Sequence, residues 1–413
     1  MFENYLKITL AVMKRRKFFT FISLFGICMT LTVLIVLTAF YEHLFSANYP
    51  EAKRNRSLYA YMIRLKDAES GTHSAQMSQY YVNTYISTLK TAEKVGFSST
   101  PSTVNTYGNG KKMKLFFKYT DPIFWEITEF EFLEGRAFTQ QSIDNNEAVT
   151  IITDKTRDDY FGEGVTALGK TIEIEERNLR VIGVVRGCPI TRFLVSADVY
   201  MPYNLQKRET GRDLSGSYTA IVLAKSPGDL PAVQAEYAEL VPRIPLQKIG
   251  GFEPVKLVTA LNPYFDSVVG DTFFSGSEGS VKTRFYLLVG LFAFLFMSLP
   301  AINLVNINIS RILERSSEIG IRKAFGAASG TLVVQFVIEN ILLTLIGGVL
   351  AILVSGCFLV WFNGSRLIEY ADLAINWTVV AVAMALSVVF GLMSGVYPAW
   401  RMSKLPVVEA LKG

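Results

Sequence analysis

Residues 19–40 read FTFISLFGICMTLTVLIVLTAF, a run without a single charged side chain. An α-helix rises 1.5 Å per residue, so about 20 such residues cross the hydrocarbon of a bilayer. The run exceeds the ~7–15 residues of a signal-peptide apolar region. No small-residue cleavage site follows it, so it is expected to remain as an anchor. Three more runs share this character: Phe285 to Ile307, Ile341 to Phe362 and Trp377 to Val396. Composition agrees, since half of the 413 residues are hydrophobic and the mean hydropathy is positive. A soluble enzyme of this length is too polar to look like this.

Basic residues in short flanks set orientation. Lys14, Arg15, Arg16 and Lys17 precede the first run; Arg311, Arg315, Arg322 and Lys323 lie between the second and third; Arg401, Lys404 and Lys412 follow the fourth. The loop between the third and fourth holds only Arg366, beside Glu369 and Asp372. Both termini are therefore expected in the cytoplasm, with the long stretch after the first run outside it. The fold expected is a membrane protein of four transmembrane α-helices. A large two-lobed α+β extracytoplasmic domain is inserted between helices 1 and 2. In residues, 1–18 form an interfacial helix, 19–40 helix 1, 41–284 the external domain with an inserted lobe at about 120–205, and 285–307 helix 2. Then come a cytoplasmic segment at 308–330, an amphipathic lead-in and helix 3 at 331–362, an external loop at 363–376, helix 4 at 377–400 and a tail at 401–413.

Small residues recur at helical spacing in the last two runs. Gly347, Ala351 and Ser355 line one face of the third, and Ser387, Gly391 and Gly395 one face of the fourth. Such stripes let helix backbones approach closely in lipid. Ionisable groups at mid-membrane are nearly missing; Glu339, beside Gln335 and Asn340, is the clear carboxylate. Ion-coupled transporters carry buried carboxylates or interrupted repeat helices, so a self-powered secondary transporter is disfavoured.

The external stretch offers strands at KKMKLFFKYT, AVTIITD, TIEIEE, LRVIGVV, DVYMPY and YTAIVLAKS, and helices at MSQYYVNTYISTLKTAEKV and LPAVQAEYAELV. Gly164 to Thr171 spells G-x-x-x-x-G-K-T, the phosphate loop of ATPases. That loop needs a buried strand before it and a helix after it. Here a charged turn precedes, and Thr171-Ile172-Glu173-Ile174-Glu175 alternates as a half-buried strand. The acidic Glu173, Glu175 and Glu176 would repel a phosphate, so the match is read as a decoy. Cys28, Cys188 and Cys357 have no paired spacing, and His43 and His73 stand far apart, so no disulfide framework, metal site or cofactor site is expected in this chain. Binding or force transmission suits this domain better than catalysis.

Arg311 to Gly330, RILERSSEIGIRKAFGAASG, alternates charges with Ile319, Ile321, Ala324 and Phe325. Such an amphipathic helix can lie on a membrane face or in a protein groove, ending at Gly326. The segment resembles the E-R-x-x-E-I-G-I-R-x-A-x-G-A signature of MacB/FtsX-type permeases of ABC transporters, the mechanotransmission class that includes LolC and LolE. Glu314, Arg315, Glu318, Ile319, Gly320, Ile321, Arg322, Ala324, Gly326 and Ala327 carry that pattern. The ending GVYPAWRMSKLPVVEALKG is similar to the family's, with Met402 in place of an alanine, and FEFLEGRAFT, GKTIEIEERNLRVIGVV and VYMPY resemble its external domain.

The resemblance implies a non-catalytic permease of the bacterial inner membrane. A cytoplasmic ABC ATPase, a separate subunit binding ATP and magnesium, would dock on Glu314 to Gly326, Lys323 included, with Glu318 and Arg322 as charged contacts and Ile319 and Phe325 as apolar anchors. A second copy or a related permease would complete a dimer, and a periplasmic adaptor or lipoprotein is a possible external partner; lipid is a partner and nucleic acid is not. Export of a drug, peptide or lipoprotein is the leading function implied. The alternative is an FtsX-like device that regulates a cell-wall hydrolase or a sensor.

Overall fold

In a computed structural model, the residues described are 11, 13–15, 17–69, 71–206, 212–246, 248, 252–273, 283–292, 294–295 and 329–403. They fall into two compact units. One takes Met1–Glu42, Thr283–Leu367 and Asp372–Gly413, and the other takes His43–Lys282 with Ile368–Ala371.

The first unit is helical: Lys17–Phe45 (α1, which runs on into the second unit), Thr283–Phe292 (α2), Ser329–Ser365 (α3) and Trp377–Ser403 (α4). Among the described residues two helices are long and apolar enough to cross a membrane, Lys17–Phe45 and Val337–Ser365. Two hydroxyls inside α1 turn back onto their own helix, Ser23 donating to the Phe19 carbonyl and Thr30 to that of Gly26, which satisfies them in an apolar setting. Ile27, Leu31, Leu343, Ala351 and Ala383 are buried together. Gly347 makes this possible: a Cβ there would stand 2.7 Å from Ile27 Cγ2. One turn on, Thr32 of α1 donates to the Ala351 carbonyl at 3.4 Å, and Ser355 donates to the same oxygen at 2.6 Å. Glu339 and Asn340 are buried in α3. Asn376 caps α4, accepting from the Thr378 and Val379 amides at 2.8 and 3.1 Å, and its own amide donates to Glu42.

The second unit is built on a 14-stranded mixed sheet. At its centre Tyr218–Ala224 pairs antiparallel with Ala92–Ser99 and with Ser57–Ala60. Lys111–Thr120 follows, then Val199–Pro202 parallel to it, Val149–Thr153, Arg177–Val185 and finally Phe132–Gly135. Helix Asp154–Phe161 lies in the crossover between the parallel strands Val149–Thr153 and Arg177–Val185. The strands of residues 120–205, expected as an inserted lobe, thus extend the same hydrogen-bonded sheet. Side chains alternate across it, as a pleated strand requires. Tyr218, Ala220 and Val222 enter one apolar core, while Ile221 and Leu223 enter another with Phe124, Trp125 and Tyr200.

The long helix expected over MSQYYVNTYISTLKTAEKV is shorter than its pattern. It runs Gln79–Thr84, one 3-10 turn follows at Ile86–Thr88, and Ala92 already begins a central strand. Tyr81, Val82, Ile86 and Leu89 still reach one core, so the turn serves the apolar spacing while pairing on both sides claims the rest.

The tight place at Gly347 yields a test. Gly347→Leu drives a side chain into Ile27 and is expected to cost about 1–3 kcal/mol. Gly26→Leu, where nothing lies within 4 Å, is expected to stay within about 0.5 kcal/mol. Thermal unfolding of the full chain in detergent compares the two.

Candidate functional site

The last residues of α1, from His43 on, belong to the second unit and meet buried charge there. An α-helix ends in carbonyls that have no partner within the helix, at the negative end of its dipole. Two guanidinium groups supply the donors. Arg54 gives one nitrogen to the carbonyls of Leu44 and Ser46 at 2.9 and 3.2 Å. Arg192 reaches the His43 carbonyl at 3.3 Å and that of Ser46 at 3.4 Å. Between them stands Glu51, paired with Arg54 and lying 3.5 Å from Arg192, and Tyr59 donates its hydroxyl to the second carboxylate oxygen at 2.9 Å. The Arg54 guanidinium also lies 3.6 Å from the centre of the Tyr264 ring, a cation–π distance. Glu51, Arg54 and Arg192 are 3%, 6% and 1% exposed, so water does little to weaken the set.

Charge states follow from these neighbours. Burial works to lower the affinity of Arg54 for its proton, but Glu51, with Tyr59 and Tyr264, outweighs it and holds the group more basic than usual. Arg192 is pushed the other way by burial and by the nearby Arg54. Burial, followed by the charge of Glu51, holds the Tyr59 phenol protonated far beyond its ordinary range.

A third buried cation braces the loop that carries Arg192. Lys118, on the strand Lys111–Thr120, donates to the carbonyls of Phe193 and Leu194 at 2.8 and 2.5 Å, and Ser98 adds a bond to the latter at 2.9 Å. Burial pushes the Lys118 amine down to about 7. Cys188, in the same neighbourhood, is pushed up to about 12 by burial, which leaves it a thiol rather than a nucleophile. The arrangement offers no open position for a reacting group; it holds one element of chain rigidly to another.

None of Glu51, Arg54, Lys118 or Arg192 stood out in the sequence. The available signal was an arginine or lysine set among apolar neighbours, as in CPITRFLVSAD. The expected ATPase contacts Glu314, Arg315, Glu318, Ile319, Gly320, Ile321, Arg322, Lys323, Ala324, Phe325 and Gly326 all lie outside the described residues. Ser387 is half-buried, and Gly391 and Gly395 lie within α4.

Around Lys170 the chain turns at Gly164 and Gly169, both left-handed, and runs straight into the strand Thr171–Ile174. With no helix start there, no row of amides faces a phosphate. Nearby, Glu173, Glu175 and Glu176 line a groove of about 440 Å³ with residues 104–107, and acidic walls disfavour an anion. Among the described residues no group of His, Cys, Asp and Glu could hold a metal ion.

Comparison with known proteins then decides the family. Residues 20–240 match the MacB-like periplasmic core domain, and residues 290–407 match the FtsX-like permease C-terminal domain. This chain belongs to the MacB/FtsX family of ABC transporter permeases. It is 26% identical to the uncharacterized ABC transporter permease YknZ of Bacillus subtilis, over 70% of this chain and 68% of that one. It is also 26% identical to the macrolide export ATP-binding/permease protein MacB of Aggregatibacter actinomycetemcomitans, over 73% of this chain and 42% of that one, so it spans less than half of that relative. The solved extracellular domain of the noncanonic ABC-type transporter YknZ superposes with a TM-score of 0.37 at 15% identity, covering 49% of this chain and 98% of that domain. As a member of this family the chain is a membrane permease with an α+β domain outside the cytoplasm.

Two measurements test the grip. Glu51→Gln keeps the shape but leaves two buried guanidinium groups uncompensated, and is expected to cost about 3–5 kcal/mol in thermal unfolding. Breaking the partly exposed Arg56–Glu93 pair with Glu93→Gln is expected to cost under ~1 kcal/mol. Lys118 gives a pH signature. Its amine is less basic folded than the ordinary 10.5, so between about 7 and 10.5 the unfolded chain binds more protons. Stability must then rise with pH across that window, by up to about 1.4 kcal/mol per unit. Measured from pH 7 to 10, the unfolding midpoint of wild type should gain steadily on that of Lys118→Met.

Proposed function

We propose that this chain is the transmembrane subunit of an ABC transporter, driven by a separate cytoplasmic ATPase that binds ATP and magnesium. Closure of the ATPase would displace the segment Arg311–Gly330, the helices would carry the displacement across the bilayer, and the external domain would move to extrude a drug, peptide or lipoprotein. The observation that carries this reading is the grip on the end of α1. A helix whose final carbonyls are bonded to two buried arginines would hand a displacement on to the external domain.

The family membership supports the same reading. The Bacillus subtilis relative is named as a permease, and the Aggregatibacter relative as an exporter of macrolides. The layout we propose has four spans at 19–40, 285–307, 341–362 and 377–400, both termini in the cytoplasm, and residence in the bacterial inner membrane. A second copy or a related permease would complete the assembly.

A pull-down from native membranes in mild detergent tests this. We expect an ABC ATPase to co-purify with wild type and its recovery to fall at least ~10-fold with Glu318→Lys plus Arg322→Glu, the loss of about 1.4 kcal/mol of binding. An exporter should also bring down an adaptor or lipoprotein, whereas a cell-wall hydrolase in its place would favour a regulatory role. Equal recovery of the ATPase with the double variant would remove the proposed coupling segment.

A further inference from the structure

The external unit contains a piece of chain from far along the sequence. Ile368–Ala371, from the short loop between α3 and α4, belongs to the same compact unit as His43–Lys282. A few polar contacts hold it there. The Tyr370 hydroxyl donates to Asp154 Oδ1 at 2.6 Å, and the same oxygen accepts the Gly187 amide at 2.9 Å. The Tyr370 ring lies against Gly187 so closely that a Cβ at that position would fall among the ring atoms. Glu369 pairs with Lys155 at 2.7 Å. Burial, then the hydrogen bond to Asp154, keeps the Tyr370 phenol protonated and therefore a donor.

This attachment differs in kind from the grip on α1. Lys155 and Glu369 are 46% and 47% exposed, so solvent and salt weaken their pair. Tyr370 is half-buried. Arg366 and Tyr370 take left-handed backbone angles, φ 53° and 59°, which side chains other than glycine rarely adopt. Such conformations last only while surrounding contacts enforce them. The loop is thus held by polar bonds partly open to solvent, against the preference of its own backbone.

We propose that Ile368–Ala371 is a releasable clasp, closed by Tyr370 on Asp154 and Gly187 and opened without unfolding the domain. Closed, it holds the loop between α3 and α4 to the external unit by non-covalent contacts. Open, the loop keeps its place in the chain and gives up those contacts. The inference is independent of the ATPase reading, since it concerns contacts within one unit.

The test uses full-length protein in nanodiscs. A carbodiimide activates the Glu369 carboxylate, and attack by the Lys155 amine forms an isopeptide bond and releases the urea, so the yield of the 155–369 cross-link reports the closed state. Hydrogen exchange across 366–372 and at Gly187 reports opening. For wild type we expect the cross-link, together with exchange faster than global unfolding. Tyr370→Phe and Gly187→Ala should each lower the yield on the order of tenfold, as loss of a charge-assisted hydrogen bond or entry of a clashing methyl would. The melting temperature should hold, because both changes act on the open–closed balance alone. Three results would overturn the clasp: no cross-link in wild type, exchange at these sites only through global unfolding, or variants that lower the melting temperature while leaving the yield unchanged.

Discussion

The structure turns on one carboxylate shared by two arginines. Glu51 lies between Arg54 and Arg192 in a setting almost free of water, and both guanidinium groups are bonded to the carbonyls that end α1. Two cations on one anion leave an excess positive charge, which the negative end of the helix offsets. The balance is reciprocal. The helix end needs donors and the arginines need acceptors, and each helps to satisfy the other. A well-packed apolar joint could be as stable or more so. It would not, however, fix direction, because dispersion contacts change little when surfaces slide by an ångström, whereas forked hydrogen bonds do not survive such a slip.

From that joint the constraint spreads by ordinary means. Tyr59 contacts Glu51 and lies in the strand Ser57–Ala60, which pairs with the central strand Tyr218–Ala224. Arg192 sits in a loop whose neighbouring carbonyls are bonded to Lys118, and Lys118 lies in the strand that bridges the two halves of the sheet. A pull on the end of α1 would therefore pass through these side chains into two strands. Among the described residues Lys118 forms no ion pair, and its hydrogen bonds go to carbonyls. Burial outweighs what the carbonyl oxygens and the more distant Cys188 and Glu51 give back, the reason its amine sits near neutrality rather than with exposed lysines.

Much of this fold is legible in local pattern, and the part that is not has a common cause. KKMKLFFKYT coincides with the strand Lys111–Thr120, and LPAVQAEYAELV contains the helix Leu230–Leu240, because alternation and helical spacing are properties of neighbouring residues. The false phosphate loop is also settled locally, since alternation after Thr171 excludes a helix there. The grip is different. Arg54 and Arg192 are separated by more than a hundred residues, and each reads as an ordinary surface arginine until the topology brings both to one carboxylate. The overlong helix at Gln79 fails for a related reason: its apolar spacing continues, but Ala92–Ser99 has strand partners that only the tertiary fold reveals.

The two attachments of the external unit divide a task that one could not perform. A joint made of buried ions is costly to break, since separating the partners strands charge in a low-dielectric interior. It suits a link that must hold through every movement. A phenol on a carboxylate, beside an ion pair open to solvent, loses far less on parting, because water replaces what is lost. It suits a link that must let go. The chemistry is allotted accordingly, with guanidinium groups at the end of α1 and a tyrosine hydroxyl at the loop between α3 and α4. A domain tied by the first kind alone keeps the end of α1, and a domain tied by both also holds the loop between α3 and α4.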